Sequence, residues 1–333
     1  MHYPSSPIEK NRAMLRSAAP LMAYKETDNF GEWQIKAREK LNNLLGLPFE
    51  ECEDNFTITS KETENGISIT YFVFQSEADY YVRCAFITPE NATKPLPLAI
   101  CLQGHSKGMH ISLGKTKYPG EKVAGDRDFA IQAGSNGFCA LAIEQRNFGE
   151  CGGTPEGPDC YLSAVTAMLT GRTTIGERVW DIQRAIDVVE KYFPQANLDQ
   201  IVCVGNSGGG TATYYAACLD ERIAIAVPSC SVCTFADSIG AMHHCACNYV
   251  PNIANFFEMG DLAGMIAPRP LIVIAGKQDN IFPKDGVEKC FMTITRLYKA
   301  AGAENNCRLI FGDEGHRFYA EPAWKAVFDY FKK

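Results

Sequence analysis

Three side chains far apart in the sequence have the types needed to cleave an acyl bond: Ser207, Asp279 and His316. A serine hydroxyl is a weak nucleophile at neutral pH until an imidazole nitrogen within hydrogen-bond reach takes its proton. A carboxylate on the other side of the ring fixes the tautomer and stabilises the imidazolium that forms during attack. Ser207 is singled out by its setting. The run Ile201-Val202-Cys203-Val204 leads into Gly205-Asn206-Ser207-Gly208-Gly209, and the small-residue stretch from Thr211 to Ala217 follows. A strand, a sharp turn and a helix in that order present a serine Oγ at the carboxyl edge of a sheet, with glycines leaving room on either side.

The elements around the other two residues lead to the same edge. Asp279 follows the buried-strand run from Pro270 to Gly276, and His316 closes the loop Gly312-Asp313-Glu314-Gly315-His316 after the strand Arg308–Phe311. Asp313 is the weaker alternative acid; so close to His316 in one short loop, it suits a brace for that loop better. Acyl transfer also needs two backbone N–H groups aimed at the developing oxyanion. Gly208 supplies one. The strand Pro97–Leu102 runs into Gln103-Gly104-His105-Ser106, which makes the His105 amide the second. The alternative reading of His105 is a surface loop histidine whose ring does nothing.

Positioning these groups takes most of the chain. Residues 1–55 read as a helical extension packed on the main domain, with a helix from about Gly31 to Leu45 turning Trp33, Leu41, Leu44 and Leu45 inward. Residues 56–333 read as one catalytic domain. Alternating segments at Phe56–Ser60, Ile67–Phe74 and Tyr81–Ile87 predict antiparallel strands. Strands then alternate with helices, from Leu98–Leu102 through a helix at Asp126–Ala133, the strand Phe138–Ile143 and the helix Thr174–Tyr192 to a final helix at about Pro322–Lys332. That order predicts an α/β fold, a mostly parallel doubly wound sheet with helices on both faces. Two long stretches, near 147–173 and 229–267, follow strands and should overhang the site.

A chain of 333 residues with 46% hydrophobic content can bury roughly three quarters of its unfolded surface, enough for such a domain. The net charge of −7, without a lysine or arginine block, argues against nucleic acid and against an anionic membrane surface as partners. A small-molecule ester fits better, and the oligomeric state is left open. No stretch has the pattern of a signal peptide or a membrane span, and fourteen scattered cysteines suit a reducing cytoplasm. Cys84, Cys101, Cys139 and Cys203 read as small buried hydrophobes.

No cofactor is called for, and no metal is assigned. The run Cys230-Ser231-Val232-Cys233 and the cluster His243-His244-Cys245-Ala246-Cys247 contain zinc-ligand types. Adjacent histidines and a C-x-C pair are nevertheless awkward around one tetrahedral ion. His244 is kept as a pocket-lining candidate.

After about residue 60 the chain resembles the α/β-hydrolases, and within them a bacterial acetyl xylan esterase and dienelactone hydrolase-like group. The resemblance rests on Gln103-Gly104-His105, Glu144-Gln145-Arg146-Asn147-Phe148-Gly149, Gly176 to Asp181, Gly205 to Gly209, His244 to Tyr249, Asp261-Leu262-Ala263, Ala267 to Pro270 and Asp279 to Pro283. It implies an α/β-hydrolase fold and a serine esterase for small acyl esters, acetylated xylo-oligosaccharides or other sugars among them. Ser207, Asp279 and His316 match the triad, and His105 and Gly208 the oxyanion amides. Glu144, Arg146, Arg178 and Asp181 match family positions as well; Glu144 and Arg146 are pocket candidates, although charged residues at strand ends more often brace loops. The alternatives are a serine peptidase or amidase of the prolyl oligopeptidase type, and a non-enzymatic or metal-binding protein on a hydrolase fold.

Overall fold

The computed structural model describes residues 5–331. Met1–Pro4 of the expected extension, and Lys332 and Lys333 at the end of the expected final helix, lie outside the described residues. In chain order the elements are α1 (Pro7–Arg16), α2 (Phe30–Leu45), β1 (Thr57–Glu64), β2 (Ile67–Glu77), β3 (Tyr80–Pro89), β4 (Leu96–Leu102), α3 (Phe129–Ser135), β5 (Cys139–Ile143) and α4 (Tyr161–Leu169). They continue with α5 (Thr174–Tyr192), β6 (Ala196–Asn206), α6 (Gly208–Leu219), β7 (Ile223–Ser229), α7 (Met259–Leu262), β8 (Leu271–Gly276), α8 (Lys284–Ala300), β9 (Cys307–Gly312) and α9 (Ala320–Phe331).

The strands form one sheet in the order β1-β2-β3-β5-β4-β6-β7-β8-β9. β1, β2 and β3 pair antiparallel, as does β3 with β5, and every pairing from β5 through β4 to β9 is parallel. The central parallel strands β5 and β8, and β6 from Ile201, are apolar runs because both of their faces are covered. Along β4, Leu98, Ile100 and Leu102 join one core cluster while Ala99 and Cys101 join the other, so alternate side chains serve opposite layers. α2, α5, α6 and α8 cover the first face; α3 and α9 cover the second.

Helix α2 shows how the extension is held. Its N-cap Asn29 accepts the Glu32 amide, and Gly46 ends it in the left-handed conformation. Trp33, Ala37, Leu41 and Leu45 are buried, with Leu44 only half-buried against the same cluster. Gln34 Nε2 donates to the carbonyls of Gly264 and Ala267 at 2.6 Å, tying α2 to the segment just before β8.

One reading of the sequence changes in detail. The helix expected from Asp126 begins only at Phe129, because Asp126 itself has φ of 54°, a left-handed turn residue that no α-helix continues through. Within the stretch 147–173 lies α4. Cys84, Cys101, Cys139 and Cys203 are fully buried, and all fourteen cysteines are free thiols. Among the described residues, no helix is long and apolar enough to cross a membrane.

Candidate active site

Strand β6 delivers Ser207 to the turn before α6 with φ 56° and ψ −123°, a backbone conformation sparsely populated by non-glycine residues. The neighbours make that turn obligatory. Its amide donates to the Ser229 carbonyl at 2.8 Å, and its carbonyl accepts from the Thr211 amide at 2.9 Å. A Cβ on Gly209 would collide with the Leu102 carbonyl, so β4 and α6 can approach each other here only across a glycine. Gly104, on the facing loop, is equally constrained: a Cβ there would lie 2.6 Å from the Asn206 carbonyl oxygen and 2.8 Å from Ser207 Cβ.

Strand ends β8 and β9 bring the acid and the imidazole to the same edge. His316 Nδ1 lies 2.7 Å from Asp279 Oδ2. Asp279 Oδ1 accepts the amides of Ile281 at 2.8 Å and Phe282 at 3.1 Å. Burial opposes a charge on this carboxyl, but the His316 hydrogen bond and charge, with the two amides, outweigh it and hold the group below its ordinary value. Asp313 lies elsewhere, exposed and paired with Lys277 Nζ at 2.6 Å.

Ser207 and His316 line one cavity of about 300 Å³, together with Gly104, His105, Arg127, Asn206, Met242, His243, His244, Cys245 and Ile281. Gly208 opens α6, so its N–H has no acceptor within the helix. His105 sits on the loop leaving β4, directly above it, since a Cβ on Gly208 would lie 2.7 Å from His105 Cε1. A nucleophile type, an imidazole braced by a carboxylate, and two loops carrying candidate donor amides therefore meet at one opening. A family model described as the Abhydrolase family matches residues 6–322. The chain belongs to the abhydrolase family.

Relatives of this abhydrolase carry hydrolase and esterase names. The Bacillus subtilis protein named "Putative hydrolase YtaP" is 28% identical over 288 residues, which are 85% of this chain and 94% of that one. Among solved structures, a "putative acetyl xylan esterase" of Bacteroides fragilis aligns with a TM-score of 0.79 at 17% identity, over 93% of this chain and 83% of that one. A glucuronoyl esterase from Solibacter usitatus aligns with a TM-score of 0.72 at 13% identity, over 95% and 97% of the two chains. At such identities the structural likeness is one of fold.

The remaining candidates in the abhydrolase site occupy different places. His244 lines the cavity, its Nδ1 held 3.1 Å from Asn248 Nδ2. Glu144 lies outside that cavity, behind the loop that carries His105. Its carboxylate accepts the Met109 amide at 3.0 Å and Gln103 Nε2 at 2.9 Å. Burial pushes it up to about 7 against the opposing effect of the Met109 amide. Arg146 is also away from the cavity, bonded to Asp181 at 2.8 Å and Glu77 at 2.5 Å, with Glu177 at 3.7 Å.

The His105 ring is engaged, against the alternative reading of an idle surface histidine. Nε2 lies 3.2 Å from Cys247 Sγ, and the ring packs on Phe148 with centroids 5.1 Å apart. Nor do the zinc-ligand types of the second insert gather among themselves. Cys245 and Cys247 meet His105 and Cys160, whose ligand atoms all lie within 4.8 Å of one another, and His243 and His244 stand apart from that group. Cys160 carries no local signal, having no ligand-type neighbour at metal-site spacing, and only tertiary folding brings it to the others. Arg127 was missed for the same reason: it reaches the cavity from the turn before α3 and forms no ion pair among the described residues.

Proposed function

We propose that the protein is a serine esterase that hydrolyses small acyl esters, acetyl esters foremost. The observation carrying this reading is Ser207, on a left-handed turn, sharing a cavity of about 300 Å³ with His316, whose Nδ1 is held by the Asp279 carboxylate. Ser207 attacks the ester carbonyl as His316 takes its proton. The N–H groups of Gly208 and His105 receive the oxyanion; losing one such donor typically costs about 3 kcal/mol of transition-state stabilisation. His316 then protonates the leaving alcohol, and a water activated by the same imidazole releases the acid.

The cavity is at the small end of ligand sites, which run from about 300 to 1,000 Å³, and this favours a short acyl group. Arg127 offers the alcohol portion a guanidinium without a carboxylate partner, which suits a hydroxyl-rich or acidic sugar. The acetyl xylan and glucuronoyl esterase names among the structural neighbours agree with a carbohydrate ester. No step in this mechanism calls for a cofactor.

The test is hydrolysis of 4-nitrophenyl acetate, butyrate and octanoate, of acetylated xylo-oligosaccharides, and of a 4-nitroanilide peptide, by the protein and by its Ser207→Ala variant. We expect acetate to be preferred, acetic acid to be released from the sugars, and turnover to vanish in the variant. Ester turnover retained without Ser207 would overturn the mechanism. Faster cleavage of the anilide than of any ester would move the assignment to the peptidase class.

A further inference from the structure

Behind the oxyanion loop, four groups of zinc-ligand type converge from three segments that the sequence keeps far apart. His105 comes from the loop after β4, Cys160 from the first insert, and Cys245 and Cys247 from the second. Cys247 Sγ lies 3.2 Å from His105 Nε2 and 3.2 Å from Cys245 Sγ, and all four ligand atoms fall within 4.8 Å of one another. In a tetrahedral zinc site with Zn–S of about 2.3 Å and Zn–N of about 2.0 Å, ligand atoms stand roughly 3.5–3.8 Å apart. The cluster needs only small side-chain adjustments to reach that geometry.

A second observation concerns Arg178, which the proposed mechanism does not use. It is 1% exposed on α5. Its guanidinium points into the thiol cluster, with Nη1 3.5 Å from Cys247 Sγ and Nη2 3.8 Å from Cys160 Sγ, and it stacks over Phe148 at 4.4 Å. It forms no ion pair with a carboxylate among the described residues; Asp181 and Glu177, on its own helix, are engaged by Arg146. Nη2 finds the Arg146 carbonyl at 2.8 Å, while Nε is buried without a partner. A guanidinium taken fully out of water needs negative charge beside it. Neutral thiols supply none. Three thiolates around a dication supply a net −1, and the cluster with Arg178 is then neutral.

We infer that His105, Cys160, Cys245 and Cys247 form a structural Cys3His zinc site with Arg178 as its countercharge. Binding is a coordination step: three thiol protons pass to solvent, three thiolate–zinc bonds and one Nε2–zinc bond form, and no electron is transferred. With all four positions filled by protein, the ion has no open site for substrate and serves as a staple. It fastens both inserts to the loop whose His105 amide faces the cavity. That last consequence rests on the esterase reading, whereas the metal site does not.

The test is elemental analysis of protein purified under reducing conditions without added metal, beside Cys160→Ser, Cys245→Ser, Ser207→Ala and Cys52→Ser variants. About one zinc per chain is expected in the parent, in Ser207→Ala and in Cys52→Ser, falling below about a tenth in the two ligand variants. Should those two fail to fold, cobalt exchanged into the parent decides the matter, because a tetrahedral thiolate site gives intense visible d–d bands and a thiolate charge-transfer band. Parent protein without stoichiometric zinc, and without those bands after cobalt addition, would overturn the inference. So would a disulfide between two of Cys160, Cys245 and Cys247, located by mapping the peptides of the unreduced protein. None of these readouts uses a substrate, so failure of the zinc site and failure of the esterase reading are distinguishable.

Discussion

His316 Nδ1 and Asp279 Oδ2 are 2.7 Å apart, and the other oxygen of that carboxylate is fixed by the amides of Ile281 and Phe282. The carboxylate is therefore immobilised before it orients the ring, so the tautomer with the proton on Nδ1 is imposed by backbone as much as by side chain. Asp279→Asn keeps the shape but can offer its NH2 group to Nδ1, which stabilises the wrong tautomer. We expect kcat on 4-nitrophenyl acetate to fall by about 10⁴-fold, with KM changed little and the fold intact by circular dichroism. A loss of under about tenfold would remove Asp279 from the role given to it.

Strain at Ser207 should be measurable as stability. A non-glycine residue at φ 56°, ψ −123° costs on the order of 1–3 kcal/mol, and glycine avoids it while losing about 0.5–1 kcal/mol to unfolded-chain entropy. Ser207→Gly is expected to unfold at a higher denaturant concentration than Ser207→Ala, and both should be inactive. Equal midpoints, or alanine above glycine, would mean that the turn is not strained.

The elements were legible in the sequence because both faces of the sheet are covered. Continuous apolar runs such as Leu271–Ala275 could be little else than buried strands, and Thr174–Tyr192 carried a clear helical period between its caps. The turn at Ser207 was equally readable, since its glycines stand together between an apolar strand run and a small-residue helix, although the contacts that demand Gly208 and Gly209 come from the distant Leu102–His105 stretch. What escaped were groups whose roles depend on distant partners. The His105 ring is engaged by Cys247, and Cys160 is drawn in from the other insert; neither spacing nor composition encodes those meetings. Asp126 failed differently: its left-handed φ shortened the helix that its apolar followers suggested.

Arg146 holds a buried charge network together, which makes it a stability residue in the expected outcome. Its guanidinium bridges Glu77 and Asp181, with Glu177 nearby, and Arg172 shares Glu77 and Glu177. Arg146→Met leaves at least one carboxylate without compensation in a buried setting, at a cost of about 3–5 kcal/mol. Arg146→Lys keeps the charge but not the fork, and should lie between. The urea midpoint at pH 7 reads both; a methionine variant as stable as the parent would show that the network does not depend on this arginine.

Glu144 should give the parent a pH dependence that its amide variant lacks. Burial raises its carboxyl from 4.5 to about 7, so the folded protein holds a proton between those values that the unfolded chain has released. Stability from this group is therefore complete below about 4.5 and is lost as pH rises through 7, by roughly 3 kcal/mol at most. The groups around it are Glu150 and Lys117, whose charges act in opposite directions, with His110 and Arg83 on the same wall. Glu144→Gln can still accept the Met109 amide, so the loop carrying His105 should stay in place. Thermal midpoints of parent and variant between pH 5 and 8.5 are expected to converge or cross in the variant's favour towards the alkaline end. A difference independent of pH would mean that Glu144 is charged throughout, its burial offset by Gln103 and Met109 more fully than the structure implies.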